Sequence, residues 1–251
     1  MSESAPDRQK RLRESYLKHA ALAQLYRWWQ YYDDSAGLPE QDAHFLKAST
    51  VHLQNDGAVT ISAQVEHLNL GIDTGGGVMS STAHCSAVLR PTTGLLPKIT
   101  EIRIDDEDPE PADGFKPAYP ENRLRSLVHY FTALVENPRR DPQPFRELLA
   151  PGFRLHFTEP PLASLDALAA WVAGPLSSVV ASTHAISGIA LERLGERDYA
   201  ATIDMQSEAM FPDGSGIASR NTQTWTVTDD KSERFARIAN IAIRRDEVRR
   251  F

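Results

Sequence analysis

The stretch GVMSSTAHCSAVLRPTTGLLPKITEIRIDDED at residues 77–108 has a counterpart at residues 216–247, GIASRNTQTWTVTDDKSERFARIANIAIRRDE. The offset is 139 residues at both ends, since 216 − 77 and 247 − 108 are equal, and no gap is needed. Glycine, serine, valine and isoleucine recur at matching positions, for example Ile102 and Ile241. Both stretches alternate with the period of two consecutive β-strands. The repeat predicts that a strand pair is duplicated and that the chain has two related halves.

Two further strands precede the repeated pair in each half. In the first half, residues 43–54 and 58–68 flank an Asn-Asp-Gly turn that tolerates positive φ and is typical of a hairpin. In the second half, strands are expected at about residues 183–194 and 198–211. Each half is therefore predicted to contain an antiparallel sheet of at least four strands.

Helical periodicity precedes each sheet. Residues 8–34 predict one long helix with several aromatic residues, which we interpret as packing against the first sheet. The second half has more elements before its sheet, with Ser164 as the N-cap of the last helix. They are a helix at 122–136, a short helix at 141–150, a strand at 153–157 and a helix at 164–173.

The segment between the halves, DEDPEPADGFKPAYP at residues 106–120, is acidic and rich in proline, which is typical of a linker. We therefore expect a shortened domain at residues 1–108, a linker at residues 109–120 and a complete domain at residues 121–251.

Composition narrows the class of protein. Of 251 residues, 41% are hydrophobic and 24% charged, which is typical of a soluble globular protein. The net charge of −7 argues against a nucleic-acid partner. Cys85 is the only cysteine, which fits a reducing compartment, and we interpret it as a packed thiol. No segment resembles a membrane helix or a signal-peptide core, so the expected location is cytoplasmic.

The order helix, short helix, strand, helix and long antiparallel sheet resembles the nuclear transport factor 2-like superfamily, whose cone-shaped α+β fold is cystatin-like. The resemblance covers residues 122–246 fully and residues 10–108 in shortened form. It implies an α+β protein of two tandem cone domains, each with a curved antiparallel sheet packed on N-terminal helices. In this superfamily the outer sheet face commonly forms dimers. Tandem copies therefore imply a pseudo-dimer within one chain, and further oligomerisation stays open.

A shorter match concerns the start of the first long strand in the second half. Ser182-Thr183-His184-Ala185-Ile186 resembles the T-x-H-x-I entry of the scytalone-dehydratase-like branch, which is close to the polyketide-cyclase-like proteins. The resemblance implies that His184 is a catalytic acid or base. It also implies a tyrosine on the preceding helix that polarises an oxygen, and Tyr130 is the candidate.

Alternation along the strands assigns their two faces. Apolar side chains on one face of residues 198–211 are expected to cover the helices, which turns Asp204 and Glu208 outward. The inner face predicts a small, mostly apolar ligand pocket; the alternative is a filled core with satisfied amides. The predicted ligand-binding residues are Phe157, Trp171, Met205, Asn221, Gln223 and Trp225.

Neither a metal nor a cofactor is expected. The histidines of the first half lack the spacing of metal ligands within a strand, and the Gly75-Gly76-Gly77 run is not followed by a helix that could bind phosphate. The predicted function is binding of a small apolar molecule, with cofactor-free acid/base chemistry such as dehydration, isomerisation or cyclisation. The alternative is a non-catalytic binding or assembly module that works through protein contacts. Whether the protein is an enzyme stays open at this point.

Overall fold

A computed structural model describes residues 5–35, 41–71, 77–106 and 108–251, and within these ranges the chain forms three α-helices and ten strands. The chain divides into two compact units. The first-sheet unit is Leu17–Tyr130, and the second-sheet unit is Met1–Tyr16 together with Phe131–Phe251. Both divisions fall inside continuous helices and not within residues 109–120, the predicted linker.

The first-sheet unit contains an antiparallel sheet in the order β1-β2-β3-β4, with β5 paired to β3. Its turn between β1 and β2 is the predicted hairpin, because Gly57 has a φ of 80° and Asp56 accepts a hydrogen bond from Ala58 N at 3.0 Å. The strands are β1 Asp42–Leu53, β2 Val59–Leu70, β3 Val78–Arg90, β4 Lys98–Asp106 and β5 Glu110–Ala112.

Strand β5 lies inside the segment that composition marked as a linker. Its residues pair with the start of β3, where Ala112 lies opposite Val78 and Glu110 opposite Ser80. Proline can join such an edge because its nitrogen needs no partner there. The glycine run expected to turn into β3 falls at residues 75–77, of which only Gly77 lies within the described residues.

Helix α1, Ala5–Ser35, covers the apolar face of the first sheet with its second half. Ala21, Leu25 and Trp29 are fully buried in one cluster with residues of the strands, as the helix-packing interpretation predicted. Cys85 belongs to this cluster, and burial raises the pKa of its thiol to about 11. The thiol is therefore neutral and enclosed at physiological pH, which agrees with a packing role.

Two histidines, His19 on α1 and His129 on α2 (Tyr119–Glu136), are buried side by side in the first-sheet unit. Their Nδ1 atoms are 2.9 Å apart, so one nitrogen donates and the other accepts. Burial above all, and then the nearby His19 and Arg125, lower the pKa of His129 well below its ordinary value. His129 is therefore neutral in the folded chain.

This histidine predicts a loss of stability in mild acid. Below about pH 6.5 the unfolded chain takes up a proton at His129 that the folded chain does not. The contribution of His129 to the free energy of unfolding is therefore complete above that pH and is lost as the pH falls. We expect the free energy of unfolding to fall by up to about 1.4 kcal/mol per pH unit between about pH 6 and 5 from this group. The free energy of unfolding, measured with urea across this pH range, should change less steeply with pH for His129→Asn than for the wild-type chain. An equal dependence on pH would contradict the assignment.

The second-sheet unit contains a sheet in the order β6-β10-β9-β8-β7. Strand β6 runs parallel to β10, whereas the other pairs are antiparallel, so the expected purely antiparallel sheet is wrong for this edge. The parallel pair joins β6, which precedes α3, to the last strand of the meander. The elements are β6 Leu149–Leu155, α3 Leu165–Ala173, β7 Ala181–Arg193, β8 Asp198–Met210, β9 Gly216–Thr228 and β10 Arg237–Arg250.

The predicted helix start at Ser164 is confirmed. Its hydroxyl accepts a hydrogen bond from Ala167 N at 3.1 Å and so satisfies a first-turn donor of α3. The short helix expected at residues 141–150 is a 3₁₀ helix at Gln143–Glu147. Among the described helices, none combines the length and the apolar character that crossing a membrane requires.

Candidate functional site

A cavity of about 270 Å³ lies in the second-sheet unit between the end of α2, α3 and the inner face of strands β7 to β10. Four aromatic rings form much of its wall. The Phe131 and Trp225 rings meet edge to face at 5.1 Å, and the Phe157 and Trp171 rings are 5.2 Å apart. Such a wall favours an apolar or aromatic guest.

One wall of the cavity carries an acid–histidine pair. His184 lies near the start of β7, and its Nδ1 is 3.0 Å from Glu136 Oε1 at the end of α2. The Glu136 side chain is 0% exposed and that of His184 is 22% exposed, so the carboxylate is enclosed while the imidazole reaches the cavity. A carboxylate can only accept, so the imidazole donates from Nδ1 and its Nε2 is the basic nitrogen.

Sequence reasoning missed Glu136, although a local signal exists. The preceding run from Tyr130 to Val135 has no charged residue, and a carboxylate in the last turn of a helix opposes the helix dipole. A residue that breaks a local rule without a local benefit is a candidate for a functional role. The last turn of α2 places Glu136 beside His184 of β7, which lies 48 residues later in the sequence.

A chain of hydrogen bonds runs along the inner face of the sheet. Trp225 Nε1 donates to Gln223 Oε1 at 2.9 Å, and Asn221 Nδ2 donates to Ser207 Oγ at 2.9 Å. Gln223 Nε2 approaches Met205 Sδ at 3.2 Å. The predicted amides are therefore satisfied by neighbours, yet Gln223 still lines the cavity.

A buried hydroxyl also lines the cavity beside the imidazole. Ser182 lies two residues before His184 on the same face of β7, is 4% exposed, and makes no hydrogen bond through Oγ within the described part of the chain. An unsatisfied buried hydroxyl is costly in an apolar wall. A polar atom of a bound molecule would satisfy it.

The outward assignment agrees with the strand register for both Asp204 and Glu208, because β8 pairs with β9 without a register shift between them. Asp204 is exposed and accepts a hydrogen bond from Thr222 Oγ1 at 2.7 Å. Glu208 lines the cavity rim and pairs with Arg11 Nη2 at 2.9 Å, while Ser15 and Thr183 hydroxyls meet at 2.7 Å beside it. The alternation of buried and exposed residues fades after Gln206, because residues of α1 contact this end of the outer face.

The structure brings most of the predicted site together. Tyr130 is buried on α2 in the first-sheet unit, and Asn221 is buried on β9, but neither is among the residues that line the cavity. The predicted residues that line this one cavity are Phe157, Trp171, His184, Met205, Gln223 and Trp225.

A second acid–histidine pair occurs in the first-sheet unit. Asp33, in the last turn of α1, accepts a hydrogen bond at 2.6 Å from Nδ1 of His44 on β1. Trp29 stacks on one face of His44 and His67 on the other, with ring centres 4.5 and 4.2 Å away. Both members of this pair are almost fully buried, unlike His184. Within the described residues, no group of three or more potential ligands could hold a metal ion.

Comparison with known proteins finds solved structures whose fold is similar to part of this chain. No protein-family model matches the chain, and a search of curated proteins finds no significant match. A scytalone dehydratase assigned in Novosphingobium aromaticivorans has 9% identity over 53% of this chain and 87% of its own, with a TM-score of 0.47. The LinA-type3 hexachlorocyclohexane dehydrochlorinase of Novosphingobium barchaimii has 8% identity over 53% and 90%, with a TM-score of 0.46.

A nuclear transport factor 2-like superfamily protein of Salmonella enterica has 11% identity over 48% of this chain and 87% of its own, with a TM-score of 0.42. Each similarity covers about half of this chain. The architecture itself is α+β, with helices and two largely antiparallel sheets. At such low TM-scores the similarities carry no argument about chemistry, so the function has to be argued from the cavity and its acid–histidine pair.

Proposed function

We propose that the second-sheet unit binds a small, mostly apolar molecule and that His184 transfers a proton on it without a cofactor. The observation that carries this proposal is the pairing of His184 with Glu136 at 3.0 Å in the wall of an aromatic cavity of about 270 Å³. A general base must reach the substrate, and this imidazole lines the cavity. The reaction classes that fit are dehydration, isomerisation and cyclisation.

Glu136 supports His184 in two ways. Its hydrogen bond orients the ring so that Nε2 is the basic nitrogen, and its charge stabilises the imidazolium that forms when a proton is taken up. The enclosed position of the carboxylate strengthens this interaction, because little water screens it. Glu136 is therefore a positioning residue, and His184 is the group that touches the substrate.

An elimination illustrates the proposed chemistry. His184 takes a proton from carbon, the electron pair of that C–H bond forms a double bond, and a hydroxyl on the neighbouring carbon leaves. The imidazolium can return its proton to that hydroxyl, so that water is released and the base is regenerated. Ser182 Oγ lines the cavity, makes no hydrogen bond within the described residues and is suited to hydrogen-bond a substrate oxygen. The role of Tyr130 stays a prediction, as does the pseudo-dimer of the two halves.

The proposal is tested with 5-nitrobenzisoxazole, a small aromatic compound. A base removes its ring C–H proton, the N–O bond breaks, and a yellow phenolate forms that is followed by absorbance. We expect the wild-type protein to accelerate this ring opening with saturation kinetics, and the apolar alcohol 6-phenylhexanol to inhibit competitively. Binding of the alcohol without any acceleration over buffer would favour the non-catalytic binding module, and absence of both would refute the proposal.

A further inference from the structure

The inner face of the second sheet changes from apolar to polar along the aromatic cavity. Trp225 belongs to the aromatic wall, and the inward residues before it on β9 are Gln223 and Asn221. In the ladder with β10, Gln223 lies opposite Ile243 and Asn221 lies opposite Arg245, with no register shift between these two pairs. Residues directly opposite in an antiparallel ladder share a face, so Arg245 is on the inner face. It also lines the cavity.

Arg245 gives the lining of this cavity an uncompensated positive charge. Three of the described lining residues have side chains that can be charged, namely His184, Glu208 and Arg245. Glu208 pairs with Arg11 at 2.9 Å, and His184 pairs with Glu136 at 3.0 Å. Arg245 has no hydrogen bond or ion pair within the part of the chain that the structure describes. A guest that carries a negative charge would supply the missing partner.

The position of Arg245 favours a carboxylate. A guanidinium binds a carboxylate through two parallel hydrogen bonds, and one uncompensated positive charge balances one carboxylate. Arg245 is exposed, so it lies where the cavity opens to solvent. A carboxylate bound there keeps water on its other side and avoids most of the cost of desolvation. The apolar remainder of the guest would contact the aromatic rings.

The sheet also sets the distance between the cation and the base. His184 lies on the edge strand β7 and Arg245 on β10, with β8 and β9 between them. Neighbouring strands are about 4.8 Å apart, so β7 and β10 are separated by about 14 Å along the sheet. Both side chains reach into the cavity, from opposite sides. A guest that contacts both therefore has its acidic group several bonds away from the carbon that gives up a proton.

We infer that the ligand of this site is a carboxylic acid with an apolar body, whose carboxylate is bound by Arg245 and whose reacting carbon lies several bonds away at His184. This inference rests on the proposed function, because the apolar body has to occupy the same cavity. It adds the chemical class of the ligand and the residue that selects it.

The test compares 6-phenylhexanoate with 6-phenylhexanol, which share an apolar body, by isothermal titration calorimetry on the full chain. We expect the wild-type chain to bind the acid about fivefold more tightly than the alcohol, the upper end of the range for an exposed ion pair. Arg245→Met keeps an apolar stem but removes the charge, and it should reduce the ratio of the two affinities to about one. A general loss of affinity in the variant cancels in this ratio.

Arg244→Met is the matched control, because it changes the net charge equally at the neighbouring position. Arg244 is exposed, pairs with Asp246 at 2.9 Å and is not among the residues that line the cavity. This variant should leave the ratio of affinities unchanged. In the wild-type chain, salt at about 1 M, which screens charges beyond about 3 Å, should lower the ratio as well.

The outcomes separate this inference from the proposed function. If the alcohol binds but the acid binds no more tightly, the carboxylate inference is overturned and the proposed function stands. The same holds if the ratio survives Arg245→Met, or if it falls equally in Arg244→Met. If neither compound binds the wild-type chain, the proposed function fails as well.

Discussion

Replacing His184 with alanine is expected to lower kcat for the ring opening of 5-nitrobenzisoxazole by about 10²–10⁴-fold, the usual contribution of a positioned base. Among the described residues that line the aromatic cavity, His184 and Arg245 carry the basic nitrogens. The Arg245 guanidinium stays protonated, so the His184 imidazole is the nitrogen that can take up a proton. Because His184→Ala leaves the fully buried Glu136 carboxylate without this donor, the variant is also expected to lose stability, and kcat is compared at a temperature at which the variant is folded.

Glu136→Gln tests the partner of that base. The glutamine oxygen can still accept the hydrogen bond at Nδ1, but the negative charge that stabilises the imidazolium is gone. We expect kcat to fall by about 10²-fold while KM stays nearly unchanged, because the Glu136 carboxylate is not among the groups lining the cavity. A purely structural role would instead change KM, melting temperature and kcat together.

Two controls keep these variants interpretable. His156→Ala removes an exposed histidine that is not part of the cavity wall, and it should leave kcat unchanged. Glu147→Gln removes a half-exposed carboxylate that pairs with Arg234, and it should also leave kcat unchanged. Full activity in His184→Ala would contradict the proposal that His184 transfers the proton, whatever the result for Glu136→Gln.

Replacing Asp33 with alanine is expected to destabilise the first-sheet unit by about 2–6 kcal/mol, because each buried donor left without an acceptor costs about 1–3 kcal/mol. The Asp33 carboxylate is 3% exposed and accepts two hydrogen bonds from His44, one from Nδ1 at 2.6 Å and one from the backbone nitrogen at 3.2 Å. The variant leaves both donors buried without an acceptor.

The neighbouring residue offers a matched control. Asp34 is exposed and has no hydrogen bond or ion pair within the described residues, so Asp34→Ala should change the free energy of unfolding by less than about 0.5 kcal/mol. Urea unfolding at about pH 7 measures both variants. A loss below about 1 kcal/mol for Asp33→Ala would mean that His44 finds another acceptor and that the pair does not hold α1 to β1.

The local elements were predictable because their signals are short-range. Alternation located the long strands, an Asp-Gly turn located the first hairpin, and a serine before an apolar run located the start of α3. The parity of the strands also identified Met205, Gln223 and Trp225 as inward side chains. Parity did not reveal that Glu208, on the outer face, pairs with Arg11 of α1.

The composition of residues 106–120 favoured a linker, yet three of its residues form β5. Strand formation there depends on the free edge beside the start of β3, which no property of the segment itself reveals. Hydrophobic periodicity likewise gave no sign that the units divide within α1 and within α2.

The sequence by itself determined the strand and helix pattern and the aromatic inward residues, because each depends on the spacing of neighbours along the chain. Only the tertiary structure decided that Glu136 meets His184 and that Asp33 meets His44. Each of these contacts joins a helix to a strand, so its geometry depends on how the helices pack on the sheets.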